Sequence, residues 1–172
     1  MNAQTSKNAL LLAGGGARGT YQVGVLRSLA RAFPDLQFPI ITGVSAGAIN
    51  TALLANITEP FPIAVERLAA HWESLTLDQV FRADLRALGT NMLRWIFRLI
   101  SGGAHLLPTT RGMVDTEPLR EFLHRVLETE DGTLHGLAEN LRTGRLSGVG
   151  VLTTKYPTAQ SVAWLQGNDV KP

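Results

Sequence analysis

Within its first 56 residues the chain twice repeats one pattern: a short apolar run, a glycine-containing turn, and a stretch with helical periodicity. Asn8 to Ala13 is a continuous apolar run that stops at Gly14-Gly15-Gly16, which predicts a buried parallel strand ending in a tight turn. From Arg18 to about Phe33 the side chains of Tyr21, Val25, Leu26 and Leu29 fall on one stripe, and Pro34 closes the helix. The second unit is a strand at Pro39-Ile40-Ile41-Thr42, a turn around Ser45, and a helix from Ala46 to about Asn56. Two strand–helix units in so short a span imply a parallel sheet with helices packed on it, an α/β fold.

Later segments are less regular. A helix is expected beyond Pro60 and Pro62 to about Leu75, followed by an irregular middle that ends in the loop-like SGGAHLLPTTRG. Asp115 or Thr116 can cap a further helix, with Pro118 tolerated in its first turn and Leu119, Phe122, Leu123, Val126 and Leu127 on one face. Two strands, Leu146 to Thr153 and Ser161 to Leu165, flank a turn containing Tyr156-Pro157. The segment Asn91 to Ile100 combines bulky side chains, Trp95 and Phe97 among them, with Arg94 and Arg98 four residues apart. It fits a helix lying at a lipid surface, or a core helix with a solvated arginine edge.

Composition narrows the partners. With 172 residues, 45% of them hydrophobic and 17% charged, the chain has the size and apolar content of one ordinary globular domain. Its 16 basic and 14 acidic residues give a net charge of +2 with no basic run, so no nucleic-acid partner is expected. Cysteine is absent, which excludes disulfides and thiolate-bound metals and fits a reducing compartment. His71, His105, His124 and His135 lack metal-type spacing, so neither metal nor cofactor is expected. The apolar stretch near the N-terminus is too short for a signal-peptide core, and no run approaches the roughly 18 apolar residues of a membrane span. The expected setting is cytoplasmic, with peripheral contact at a membrane surface left open.

Chemistry concentrates in the two turns. Gly14-Gly15-Gly16-Ala17-Arg18-Gly19 satisfies G-x-G-x-x-G between a strand and a helix, the pattern of a dinucleotide-binding loop. That reading lacks the acid which should end the second strand, and no Gly-Lys-Ser/Thr follows to make a phosphate loop; a purely structural turn also fits. Gly43-Val44-Ser45-Ala46-Gly47 is a G-x-S-x-G in the same strand-to-helix context, where a serine can project from the sheet edge in a strained turn. Its plainer reading is a serine capping a helix. Taken together, the turns supply a nucleophile and backbone N–H donors from adjacent strand ends on one edge of the sheet, which is what an acyl-transfer site needs.

The sequence GGGARG followed about 25 residues later by GVSAG resembles the start of a patatin-like phospholipase, and VDTEPLREFL, Val114 to Leu123, is similar to a helix start in bacterial members. The resemblance implies an α/β three-layer sandwich with a mostly parallel central sheet, and a serine acyl hydrolase acting on phospholipids or other lipids through a Ser-Asp dyad without histidine or metal. Ser45 would be the nucleophile, and the N–H groups of Gly15 and Gly16 the oxyanion hole. Arg18 matches the basic residue of the glycine motif, where it would steady the loop or meet a lipid phosphate; a structural salt bridge is the rival reading.

The resemblance also requires an aspartate base in an Asp-Gly-Gly or Asp-Gly-Ala motif. The one Asp-Gly, Asp131-Gly132, is followed by Thr133 and reads as an exposed turn after a helix. Asp169 has no glycine after it, and each histidine reads more simply as a surface or core-edge residue. The expectation is therefore a single domain spanning 1–172, cut before its catalytic Asp-Gly motif and weakly hydrolytic or inactive as it stands. A nucleotide-binding module using Gly14 to Gly19, or a non-catalytic lipid-binding fragment, are the alternatives.

Overall fold

The computed structural model describes residues 8–76, 117–127, 132–155 and 160–168, with residues 129 and 158 besides. Two compact units are formed, one by residues 1–74 with 126–172 and the other by residues 75–125. The segment Asn91 to Ile100, His105, Asp131, Asp169 and the Tyr156-Pro157 turn all lie outside the described residues.

The larger unit is built on four strands, β1 (Ala9–Leu12), β2 (Ile40–Val44), β3 (Gly148–Lys155) and β4 (Gln160–Gly167), in that spatial order. The pairs β1–β2 and β2–β3 are parallel, and β3–β4 is an antiparallel hairpin. Helices α1 (Gly19–Ala32), α2 (Ala46–Asn56) and α3 (Phe61–Ser74) follow the first two strands, and α5 (His135–Arg142) precedes β3. This is the α/β class with a mostly parallel sheet that the paired turns imply. Because β1, β2 and β3 step across the sheet in one direction, right-handed crossovers place their connecting helices on one face.

Strand alternation shows which face that is. Leu12, Ile41 and Val149 are buried and share one core with Val23, Leu26, Leu53, Val65, Leu68, Leu137 and Leu141 of the helices. Their neighbours point the other way: Leu11 is 77% exposed, and Ile40, Val44 and Leu152 between 40 and 46%. The described residues thus supply the sheet and one helical layer. The expectation of a fully buried β1 is corrected here, since only alternate residues reach the core and its first residue, Ala9, is exposed.

The expected stripe on α1 is also corrected. Gly19, Val23, Leu26 and Ala30 face inward, whereas Tyr21 is 77% exposed and Val25 is exposed. Close helix packing selects the small residues: an added Cβ on Gly19 would sit 2.6 Å from the Trp72 ring of α3. On the solvent side Arg27 of α1 holds Glu66 of α3 through two bonds, 3.1 Å from Nε and 2.7 Å from Nη2, and reaches Glu73 at 3.1 Å.

Helix α5 is not among the elements that the sequence predicts. Its turns are set by Leu137, Asn140 and Leu141, an i, i+3, i+4 face buried against α2. Asn140 donates to the carbonyls of Ala55 and Ile57, and Asn56 Oδ1 accepts from the Leu137 amide, so α5 holds the C-terminal end of α2. In the smaller unit, α4 (Glu117–Val126) buries Phe122 and half-buries Leu119 and Leu123, the face the spacing predicts.

Hydrogen bonds from Arg27 hold the Glu66 carboxyl below its ordinary pKa. A depressed carboxylate pKa adds stability above the unfolded-state value, and that stability is lost as the pH falls through the folded-state value. Glu66→Gln should lower the melting temperature by about 1–3 °C at neutral pH, small because the pair is exposed and screened. Melts of both proteins taken from pH 7 into the acid range should converge.

Candidate active site

Ser45 stands between β2 and α2 with φ 55° and ψ −125°, the one described residue other than glycine with a positive φ. Such torsions cost on the order of 1–3 kcal/mol and persist only where the surroundings impose them. Here the imposition is visible. Gly47, in the first turn of α2, lies so close to the end of β1 that an added Cβ would overlap the Leu12 carbonyl and come 2.7 Å from the Ala13 oxygen. Gly43 is as tightly confined, its absent Cβ replaced by the Gly47 carbonyl and Thr51 Oγ1. The two glycines of the G-x-S-x-G are thus required by backbone-to-backbone packing, and the chain can pass from strand to helix only by bending at Ser45.

The bend leaves Ser45 exposed, with Val44 exposed before it and Ala46 buried after it. Ser45 takes the N-cap position of α2, but its side chain makes no capping bond. The helix-cap reading therefore fails on geometry: a capping serine has extended torsions and accepts from the first turn. The unsatisfied N–H groups of that turn and the positive end of the helix dipole remain beside the hydroxyl.

The glycine loop lies against the same spot. A Cβ built on Gly14 would be 3.2 Å from Ser45 Cβ and 3.4 Å from the Val44 oxygen, so loop and elbow are in van der Waals contact. Gly15 follows with φ 156°, and Gly16 with φ 55° opens a 3₁₀ turn, Gly16–Arg18, closed by the Arg18 amide donating to the Gly15 carbonyl at 3.1 Å. Gly14 to Arg18, including Ala17, are exposed, and Gly19 begins α1. The Arg18 side chain folds over Gly15, its Cβ and Cδ 3.2 and 3.4 Å from where a Gly15 Cβ would be. Among the described residues Arg18 forms no ion pair, which leaves the salt-bridge reading without support.

The two motifs therefore meet. His71 and His135 do not join them. His71 and His135 line a cavity of about 440 Å³ with Asn56, Glu59 and Glu139 at the C-terminal end of α2. At 1.5 Å per residue that is about 15 Å along the helix from Ser45. A second cavity, about 430 Å³ and lined by Leu10, Phe38, Ile41 and Leu146, lies toward the opposite end of the strands. No described group accepts a hydrogen bond from Ser45 Oγ. One feature beside the site was not singled out in the sequence: Asn50, wholly buried on α2. Its signal is an amide set among the small and apolar residues of AGAINTALLAN.

A patatin-like phospholipase model matches residues 10–162, a span that takes in both glycine motifs and the sheet from β1 into β4. The chain belongs to the patatin-like phospholipase family. A family of phospholipases is one of lipid hydrolases. Among curated proteins, the chain is 35% identical over 95 residues to "Lysophospholipase nte1" of Aspergillus terreus, covering 52% of this chain and 6% of the fungal protein. The chain thus spans a small fraction of that relative's length. No solved structure is significantly similar to this chain.

Strain at Ser45 makes two outcomes measurable by urea denaturation. Ser45→Gly, which suits a positive φ, should raise stability by about 1 kcal/mol. Gly47→Ala should lower it by about 3 kcal/mol or more, since the clash is with backbone that cannot rotate away.

Proposed function

We propose that the chain carries the nucleophile and oxyanion donors of a lipid acyl hydrolase, with Ser45 attacking and the amides of Gly15 and Gly16 receiving the negative oxygen. The observation that carries this reading is the strained, solvent-exposed Ser45 held in contact with a glycine loop at the carboxyl edge of a parallel sheet. In the reaction Ser45 Oγ adds to the ester carbonyl carbon as a base takes its proton. The carbonyl oxygen becomes anionic and accepts from the preorganised amides and the N-terminus of α2. The bond to the alcohol oxygen then breaks, the proton passes to the departing alcohol, and water releases the fatty acid from the acyl-serine.

We assign the base to the aspartate of an Asp-Gly-Gly or Asp-Gly-Ala motif, which these 172 residues do not contain, completing a Ser-Asp dyad. Substrates on this reading are phospholipids or related lipid esters, met at a membrane surface from the cytoplasmic side. No helix among the described residues is long and apolar enough to cross a membrane. Arg18, exposed beside the loop, is suited to a substrate phosphate, for which guanidinium offers charge-assisted bonds.

With that aspartate present, Ser45→Ala should reduce hydrolysis of a p-nitrophenyl ester by about 10³-fold or more in kcat/KM. A long-chain fluorophosphonate should add one adduct to the parent protein, located at Ser45 by peptide mass, and none to the variant. Turnover that survives Ser45→Ala removes the reading. Arg18→Ala should raise KM for phosphatidylcholine about tenfold and leave that for the neutral p-nitrophenyl ester nearly unchanged; equal effects on both would place Arg18 in the loop's framework instead.

A further inference from the structure

Behind the exposed site runs a chain of hydrogen bonds that touches neither Ser45 nor the loop's amides. Trp72 Nε1 of α3 donates to Asn50 Oδ1 at 2.7 Å, and Asn50 Nδ2 donates to Gln22 Oε1 of α1 at 3.1 Å. Gln22 Nε2 then donates to the carbonyl of Ala13 at 2.6 Å. Ala13 is the residue between the end of β1 and Gly14. Asn50 also makes a longer contact, 3.4 Å, with the carbonyl of Gly19, the first residue of α1. The relay thus runs from α3 through the nucleophile's own helix into α1 and ends on the peptide that launches the glycine loop.

Its members are placed for this. Asn50 is 0% exposed, so its amide must find all its partners inside the protein. Both ends of that amide are engaged, which fixes its orientation as well as its position: the oxygen faces Trp72 and the nitrogen faces Gln22. The Trp72 ring fills the space beside Gly19, 2.6 and 2.8 Å from a hypothetical Cβ there, so it cannot swing away from its bond to Asn50 without opening a void. Gly47, three residues before Asn50, is the point where α2 presses on the Leu12 carbonyl. Steric contact therefore fixes α2 against the end of β1, and the amide relay fixes the next carbonyl, that of Ala13, to the same helix.

We propose that Asn50 and Gln22 are positioning residues that hold the glycine loop in register with Ser45, so that its amides are preorganised before substrate arrives. The inference rests on the reading of Ser45 as nucleophile for its catalytic consequence, but not for the clamp itself. Gln22 is the member to change, because it is half-buried and lies at the surface end of the relay. Removing its side chain frees the Ala13 carbonyl and leaves Asn50 Nδ2 with the longer contact to the Gly19 carbonyl alone. The loop then samples geometries in which the amides no longer meet the oxyanion, an effect borne by the transition state more than by the bound ester.

The decisive measurement is amide hydrogen exchange across residues 13–19 in the full chain, read at the Arg18 and Gly19 amides, which the loop's own carbonyls hold. Gln22→Ala should speed exchange there about tenfold or more, with exchange in the β3–β4 hairpin much less altered. Gln22→Glu adds a readout that simple packing would not move. Ionised, the carboxylate has no proton for the Ala13 carbonyl; protonated, it donates as the amide does, so protection should return as pH falls through the carboxyl range after correction for intrinsic rates. With the aspartate base present, ester hydrolysis by Gln22→Ala should lose about 10- to 100-fold in kcat with KM within about twofold. Loop exchange that is unchanged in Gln22→Ala, or faster by the same factor throughout the molecule, overturns the clamp. Hydrolysis that persists in Ser45→Ala overturns the nucleophile reading alone and leaves the exchange result standing.

Discussion

The first turn of α2 lies on the carbonyl end of β1 with no side chain between them, and the rest of the larger unit is arranged around that contact. Only glycine at position 47 allows it. Once it is made, the chain leaving β2 has too little room to enter α2 by ordinary torsions, and the excess curvature collects at Ser45. Gly43 clears the inside of the same bend. The exposure of the serine and its contact with the neighbouring loop follow from one close approach of two backbones.

Helix α2 is suited to its central place by what it lacks. AGAINTALLAN carries no charge, and seven of its eleven residues are buried. A helix so enclosed must satisfy its polar groups inside the protein, and asparagines do this at both ends. Asn50 ties the N-terminal half to α1 and α3, while Asn56 and Asn140 tie the C-terminal end to α5 and to the Leu127 carbonyl. The helix whose dipole points at Ser45 is thereby held along its length, as a fixed source of positive potential must be to act without reorganising.

Much of this was legible in the residues. The two strand–turn–helix units, the hairpin near the end and the amphipathic face of α4 declared themselves because periodicity and glycine placement are local signals. The inward face of α1 did not. Tyr21 and Val25 are the larger side chains, but close packing on α3 chose Gly19 and Ala30, a preference visible only once the partner is known. Helix α5 was hidden by its brevity, since Leu137, Asn140 and Leu141 fill too few turns to show a period. The torsion at Ser45 was implied by the flanking glycines, but the relay behind it was not, because Gln22, Asn50 and Trp72 are separated in sequence and each is unremarkable alone.

The order in which these parts come together follows from their spacing along the chain. The glycine loop, its supporting glutamine, the bend at Ser45 and Asn50 all fall within residues 13–50, joined by one short crossover. By contrast, β2 acquires its other neighbour from a strand about 100 residues further on, and closing so long a loop is slower and entropically dearer. During synthesis the N-terminal segment leaves the ribosome first. The corner around Ser45 closes over short spans of chain and the pairing of β3 with β2 over a long one, so sequence separation favours drafting that corner before the sheet is finished.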